Sequence, residues 1–256
     1  MIEIIDNKGK YLYLFDDYPV FELYLEHAIN NMDYKIFVDN LENSQAALLF
    51  AAPAFLLVGN PNMINKDDLK SILKSGSWII SPSNSWDVFL VETFAKEIDS
   101  YPRVLFDESE IDLLKLESLR KPLPEELKIV PVEKKHLEKG MLKHEIIDKF
   151  FVNIDFLNAG FGLVLENAEG VVHGFAVTNY PVTTKDKIEV TYRVGYDTFD
   201  KYRNKGIGTT LVSLFIEDSI KRGFKPLWDA ANQTSANIAL KLGYIEKKHW
   251  LMHHIK

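Results

Sequence analysis

Apolar residues in the second half of the chain recur with a helix period in one place and form strand-like runs around it. Ile207, Leu211, Leu214 and Phe215 stand at i, i+4, i+7 and i+8, one buried stripe of a helix that opens at Gly206-Ile207-Gly208. Lys221 and Arg222 suit its last turn and Gly223 its stop. Strands are predicted over Lys128 to Pro131, Phe161 to Glu166, Val171 to Tyr180, Lys187 to Tyr196 and Pro226 to Ala230. Helical signals run from there to Phe151 after the first of these, and Ala168-Glu169-Gly170 turns the second and third into a hairpin. A short helix covers Ser235 to Leu242 and ends at Gly243, and a final strand pair fits Tyr244 to Ile255.

The first half reads as a mixture of helix and strand. Tyr18 to Asn30 follows Asp16-Asp17 as a helix, and Lys35 to Val38 is a strand. The longest apolar run, Ala46 to Val58, is broken by Pro53 and reads as two buried strands meeting at a turn. Gly59-Asn60-Pro61-Asn62 is a turn, and Ser85 caps a helix from Trp86 to Ile98 whose aromatics face a core. Arg103 to Phe106 is a short strand and Asp112 to Leu119 a helix. Two prolines among charges in Arg120-Lys121-Pro122-Leu123-Pro124-Glu125-Glu126 suit a linker, so domains are expected at 1–120 and 127–256.

Composition narrows the function classes. Of 256 residues, 46% are apolar and 26% charged, which supports a packed core. A net charge of −7 argues against a general nucleic-acid binder, which concentrates positive charge. With no cysteine, disulfides, thiolate metal sites and a thiol nucleophile are excluded. The start MIEIIDNKGKY lacks the pattern of a signal peptide, and Ala46 to Val58 is too short to span a bilayer, so a cytoplasmic protein without membrane partners is the simplest expectation.

The chemistry centres on 203–208. A strand enters, a helix leaves, and two glycines at the helix start let backbone approach a ligand. The first N–H groups of a helix lack intrahelical partners and, with the dipole behind them, form an anion site. Arg203 and Lys205 add positive charge. Hydrogen bonds to a charged group contribute roughly 1.5–3 kcal/mol each, so four or five hold a pyrophosphate. The P-loop pattern is absent, and the dinucleotide fingerprint fails because Leu211 takes its third glycine position. On these residues alone, a phosphate cradle and a merely well-capped helix both stand.

A second motif adds to the first. Arg203-Asn204-Lys205-Gly206-Ile207-Gly208 after Tyr202 resembles the pyrophosphate loop of the GNAT acetyltransferases, and Asn232 to Tyr244 resembles that superfamily's second motif, with Asn eleven residues before Gly (243 − 232). The resemblance covers roughly 127–256. Trp228-Asp229-Ala230-Ala231-Asn232 with a mixed N-terminal domain looks like the branch that includes zwittermicin-resistance-like acetyltransferases. The resemblance implies an α/β (α+β) protein whose C-terminal domain has a mixed, mostly antiparallel sheet flanked by helices. It implies an N-acetyltransferase that uses acetyl-CoA on a primary amine of a small molecule, with a protein acetyltransferase or a degenerate CoA-binding module as alternatives. Backbone of Asn204, Lys205, Gly206, Ile207, Gly208 and Thr209 would hold the pyrophosphate, with Arg203 beside it. Val194, Tyr196 and Thr198 would pair with the pantetheine arm like an added strand, where their strand splays from Pro226 to Ala230. Asn232 would bond the pantetheine or order its turn; a helix cap is the other reading.

A neutral amine must attack, so a base takes its proton. Glu189 is the leading candidate, while Asp197 and Asp229 near the strand ends could bind the cationic amine or act as base. Strand N–H groups near Val194 could stabilise the developing oxyanion. One departure stands out. Ala239 occupies the place where many members carry a tyrosine acid, which leaves Tyr192, Tyr196, Tyr244, water or unassisted departure for the thiolate. No metal is expected: His249, His253 and His254 sit on a predicted strand, and His144-Glu145 lacks a second histidine. The N-terminal domain could be a decayed second copy, a specificity domain or a homodimer surface.

Overall fold

The computed structural model describes residues 1–16, 21–30, 34–81, 83–182, 186–195 and 205–256. The chain forms two compact units, Met1–Val104 with His249–Lys256 and Leu105–Lys248. Both combine sheet and helix, the α/β class the pattern predicts.

The first unit contains β1 (Ile2–Ile4), α1 (Glu22–Asn30), β2 (Lys35–Val38), β3 (Ala46–Ala51), β4 (Ala54–Gly59), α2 (Lys66–Ile72), β5 (Trp78–Ser81), α3 (Asn84–Phe94) and the start of β6 (Ile98–Asp107). The end of β12 (Ile245–Ile255) returns to it, giving the strand order β1-β2-β3-β4-β5-β12-β6. Ala46 to Val58 forms the two paired strands its apolar run predicts, and residues of both alternations, Leu48, Leu49, Leu56 and Leu57, are fully buried, with Phe50 half-buried. Trp86, Leu90 and Phe94 of α3 pack on Leu48, Leu57 and Ile79, and the Trp86 indole donates to the Gly59 carbonyl at 3.0 Å.

Several elements differ from the pattern. α3 stops at Phe94 because Ala95 takes φ 50, and Ile98 begins a long strand instead of ending the helix. α2 was not predicted, although its signal is present: Asn65 accepts from the Asp67 and Asp68 amides, and those acids sit in its first turn. Tyr244 to Ile255 makes one strand and not a pair, since Ile245 to Ile255 has no Gly, Pro, Asn or Asp to turn it.

The second unit contains α4 (Leu113–Ser118), β7 (Leu127–Pro131), α5 (Lys134–Leu137), α6 (Asp148–Phe150), α7 (Phe156–Ala159), β8 (Gly162–Asn167), β9 (Val172–Thr178), β10 (Lys187–Val194), α8 (Ile207–Lys221), β11 (Lys225–Ala230) and α9 (Gln233–Leu242). Its strands run β11-β10-β9-β8-β7, antiparallel except for the β10–β11 pair. Val164, Phe175 and Val177 on one face pack against Leu142, Ile146, Phe151 and Phe156 from the helical segment before β8. Val194, one residue out of phase with that face, approaches Gly208, so α8 covers the other.

The stretch 120–126, expected as a linker, lies inside this unit. Its prolines keep it irregular, but α8 anchors it. Arg120 Nε donates to Ser213 Oγ at 3.1 Å, its guanidinium pairs with Glu217, and the Lys121 amide donates to Thr210 Oγ1 at 2.9 Å. Lack of secondary structure is what proline dictates; lack of attachment does not follow from it.

Glu166 is a buried carboxylate on β8. His136 Nδ1 accepts from the Glu133 amide, so Nε2 carries the proton and donates to Glu166 at 3.0 Å, while Lys128 lies at 3.1 Å. Burial alone pushes Glu166 up, but the His136 and Lys128 hydrogen bonds and the Lys135 charge hold it below its ordinary 4.5. A depressed carboxylate contributes stability that is complete above its unfolded pKa and is lost as pH falls through the folded one. The protein should therefore lose stability below about pH 4.5. Glu166→Gln should be less stable at neutral pH and show a shallower acid loss, read by thermal melts across pH 3 to 7.

Candidate functional site

The β10–β11 pair defines the site. Their parallel register covers Lys187↔Lys225, Ile188↔Pro226 and Glu189↔Leu227, yet β10 runs on to Val194 and β11 to Ala230. The strands therefore diverge after Glu189. The Asn179 amide donates to the Glu189 carbonyl, and the Gly195 amide donates to the His173 carbonyl, so odd-numbered backbone groups of β10 face β9. By strand alternation, the N–H and C=O of Tyr192 and Val194 turn toward the diverging side.

What holds β11 away is its attachment to α9 and the segment after it. Trp228 Nε1 donates to Ser235 Oγ at 3.2 Å, and the Tyr244 hydroxyl donates to the Pro226 carbonyl at 2.8 Å. Tyr192 rests on Trp228 with ring centroids 5.2 Å apart, which occupies the α8 side of the divergence. Burial pushes the Tyr244 phenol well above its ordinary range, with the nearby Glu108 carboxylate adding to the rise. A fully enclosed phenol committed to a carbonyl cannot protonate a leaving thiolate, so Tyr244 drops out of the candidate acids. Ala239 is wholly buried in α9.

α8 begins beside this opening. Gly206 is its N-cap with φ 82, the left-handed region that glycine occupies without penalty. A Cβ there would stand 3.0 Å from Lys121 Cγ, so the position is closed on that side as well. The Thr210 amide reaches the Gly206 carbonyl at 2.9 Å and closes the first turn. The amides of Ile207, Gly208 and Thr209 precede that bond and have no helical acceptor. Ile207 and Thr209 are buried, Gly208 is half-buried, and Lys205 is exposed. Tyr196, Asp197, Thr198, Arg203 and Asn204 lie outside the described residues.

Two of the acidic candidates, Glu189 and Asp229, share a face. Glu189 is half-buried on β10, and its Oε1 accepts from Asn179 Nδ2 at 3.4 Å. With Leu227 opposite Glu189, the two-residue period places Thr191 and Asp229 on the same face, away from α8. Arg193, also on that face, pairs with Glu145 at 2.5 Å. Asn179 escaped the sequence reading; its one signal is an amide placed directly after the apolar β9 run. Asn232 is exposed and caps α9, its Oδ1 accepting from the Ser235 amide at 3.0 Å, which leaves its NH2 as the end able to donate. Among the described residues no group of three His, Asp or Glu could hold a metal ion. No helix among them is long and apolar enough to cross a membrane.

A strand pair that parts beside a glycine-capped helix invites comparison with known acyltransferases. The GNAT acetyltransferase family model matches residues 20–253. The chain belongs to the GNAT acetyltransferase family. The match includes most of the first unit, so the family's reach is wider than the 127–256 covered by the two motifs. Similar GNAT folds occur in a GCN5-related N-acetyltransferase-like protein from Streptococcus suis, at 22% identity and TM-score 0.77 over 97% of this chain and 98% of that one. A tandem GNAT protein from the clavulanic acid biosynthesis pathway matches at 10% identity and TM-score 0.59, over 98% and 96%. A GCN5-related N-acetyltransferase from Kribbella flavida matches at 11% and 0.55, over 92% and 94%. At these identities the likeness is one of fold. No functionally curated protein matches the chain in sequence.

The cap at Asn232 gives the site a stability test. Asn232→Ala should cost about 1 kcal/mol through the lost N-cap. Chemical denaturation at neutral pH should show that loss with an unchanged m-value.

Proposed function

We propose that this GNAT-family chain is an acetyl-CoA-dependent N-acetyltransferase acting on the primary amine of a small molecule. The observation that carries the reading is the divergence of β10 from β11 after Glu189–Leu227, beside the glycine-capped start of α8. The residues present fit the cofactor. Outward-turned N–H and C=O groups at Tyr192 and Val194 suit the amides of a pantetheine arm, and the amides of Ile207, Gly208 and Thr209, which have no acceptor within the helix, suit a pyrophosphate. Lys205 supplies charge at the mouth, with Arg203 and Asn204 proposed beside it. Asn232 would donate its NH2 to the arm while its oxygen keeps α9 capped.

When bound, acetyl-CoA supplies the thioester acetyl group. This chain's part is to bind, orient and move a proton. Glu189, held by Asn179, would take the amine proton, directly or through water. Asp229 on the same face would attract the cationic amine before it loses that proton, and Asp197 is proposed for the same end of the site. The Val194 amide would donate to the carbonyl oxygen as it gains charge. The stretch Trp228 to Asn232, beside a mixed first unit most of which lies inside the family match, is the ground for proposing the branch that includes zwittermicin-resistance-like enzymes.

A second reading has its own observation. Ala239 stands where many members have a tyrosine, and the Tyr244 phenol is locked to Pro226. That favours a module that binds CoA without turnover. Thiol release from acetyl-CoA over a broad amine panel separates the two. Release with some amine supports the enzyme, and binding with no release across the panel supports the module.

Gly206→Glu should weaken CoA binding by about 100-fold or more in calorimetry, the loss of roughly two charge-assisted hydrogen bonds. Unchanged affinity would remove the loop from the site. Glu189→Gln should lower kcat by about 100-fold or more while CoA affinity is kept, because a lost base slows proton transfer and leaves the cofactor contacts intact. An unaltered rate at every pH from 6 to 9 excludes Glu189 as the base.

A further inference from the structure

The first unit holds a group of side chains that the acetyl-transfer reading does not use. His253 on β12 has no exposed surface. Its Nε2 lies 2.8 Å from Asp87 Oδ1 in the first turn of α3, and its Nδ1 lies 2.8 Å from Ser100 Oγ on β6. His253 is 153 positions from Ser100 and 166 from Asp87 in sequence, and the three come from three elements. From β5, the residue opposite His253 is the apolar Ile79.

The proton positions follow from the partners. A carboxylate only accepts, so Nε2 carries the hydrogen and gives it to Asp87. Nδ1 then has a lone pair, and the Ser100 hydroxyl donates to it. That is a hydroxyl bonded to a base whose ring is oriented by a carboxylate, the arrangement that activates a serine. Ser100 itself is an exposed residue, while its base has no exposed surface. His136 makes the contrast. Both of its nitrogens are taken, one by the Glu133 amide and one by Glu166, with no hydroxyl in the group. His136 ties elements together; His253 presents a basic nitrogen to an accessible nucleophile.

We propose that Ser100, His253 and Asp87 form a second, nucleophilic site, which hydrolyses small activated carboxylic esters. The proposal is independent of acetyl transfer by the second unit. Ser100 Oγ bonds to the ester carbonyl carbon as its proton passes to His253 Nδ1. The carbon–oxygen bond to the alcohol breaks, and that proton leaves on the alcohol oxygen. Water then attacks the acyl-serine, giving one proton to Nδ1. The bond to Ser100 Oγ breaks, the acid departs, and the proton on Nδ1 returns to the serine. No oxidant or metal enters. Asp87 touches no reacting atom; it is a positioning residue that fixes the tautomer and offsets the charge on the ring.

The test uses the full chain with a fluorophosphonate probe, which loses fluoride as Ser100 Oγ bonds to phosphorus, and with p-nitrophenyl acetate. The expected result is one equivalent of label per chain, mapped to Ser100 by peptide mass spectrometry, and a burst of nitrophenol. Ser100→Ala, a conservative change at an exposed residue, should abolish both while the chain remains folded by circular dichroism. Asp87→Asn should label about 100-fold or more slowly, the range expected when a general base is disabled. A label no greater than in Ser100→Ala, or one mapped to another residue, overturns the proposal. So does an Asp87→Asn chain that remains folded by circular dichroism and labels as fast as the parent, since Ser100 would then be merely exposed.

Discussion

The site depends on two parallel strands that pair for three residues and then part. An unpaired backbone amide in a protein interior costs about 1–3 kcal/mol if nothing replaces its partner. A strand pair that opens must therefore be held open from outside, and its freed groups must meet water or a ligand. In this protein the holding is done on the β11 side. The Trp228 indole is bonded to Ser235, and the Pro226 carbonyl receives the Tyr244 hydroxyl, so β11 follows α9 and the turn after it and leaves β10. Tyr192 lies against Trp228.

The same economy places the start of α8. Gly206 takes a left-handed turn that aims the first amides of the helix, and Lys121 closes the space above it. The segment carrying Lys121 is pinned along the helix through Thr210, Ser213 and Glu217. An irregular stretch thus acts as a brace. The flank of the helix is thereby fastened over its first turns, and in the pyrophosphate site proposed above donors already held in place do not have to be ordered on binding.

The two buried histidines illustrate how environment assigns a role. Each sits against a carboxylate, yet one is closed by a backbone amide and the other by the hydroxyl of an exposed serine. Burial alone distinguishes neither. What matters is whether the remaining ring nitrogen faces a group that solvent can reach.

Much of the second unit was legible in the chain. The stripe Ile207, Leu211, Leu214, Phe215 fixed α8, the glycines marked its start, and Asn232 with Gly243 bracketed α9, because caps and periodicities are local properties of a few residues. The hairpin of β8 and β9 and the pair β3–β4 followed for the same reason. Tertiary structure decided what depends on partners distant in sequence. Asn179 meets Glu189 only through strand pairing, and Tyr244 is removed from acid chemistry by a carbonyl 18 residues away. The brace at 120–121 engages residues about 90 positions on, and His253 finds Asp87 and Ser100 across more than 150. No local pattern encodes such meetings, since they are set by which surfaces the packed elements bring together.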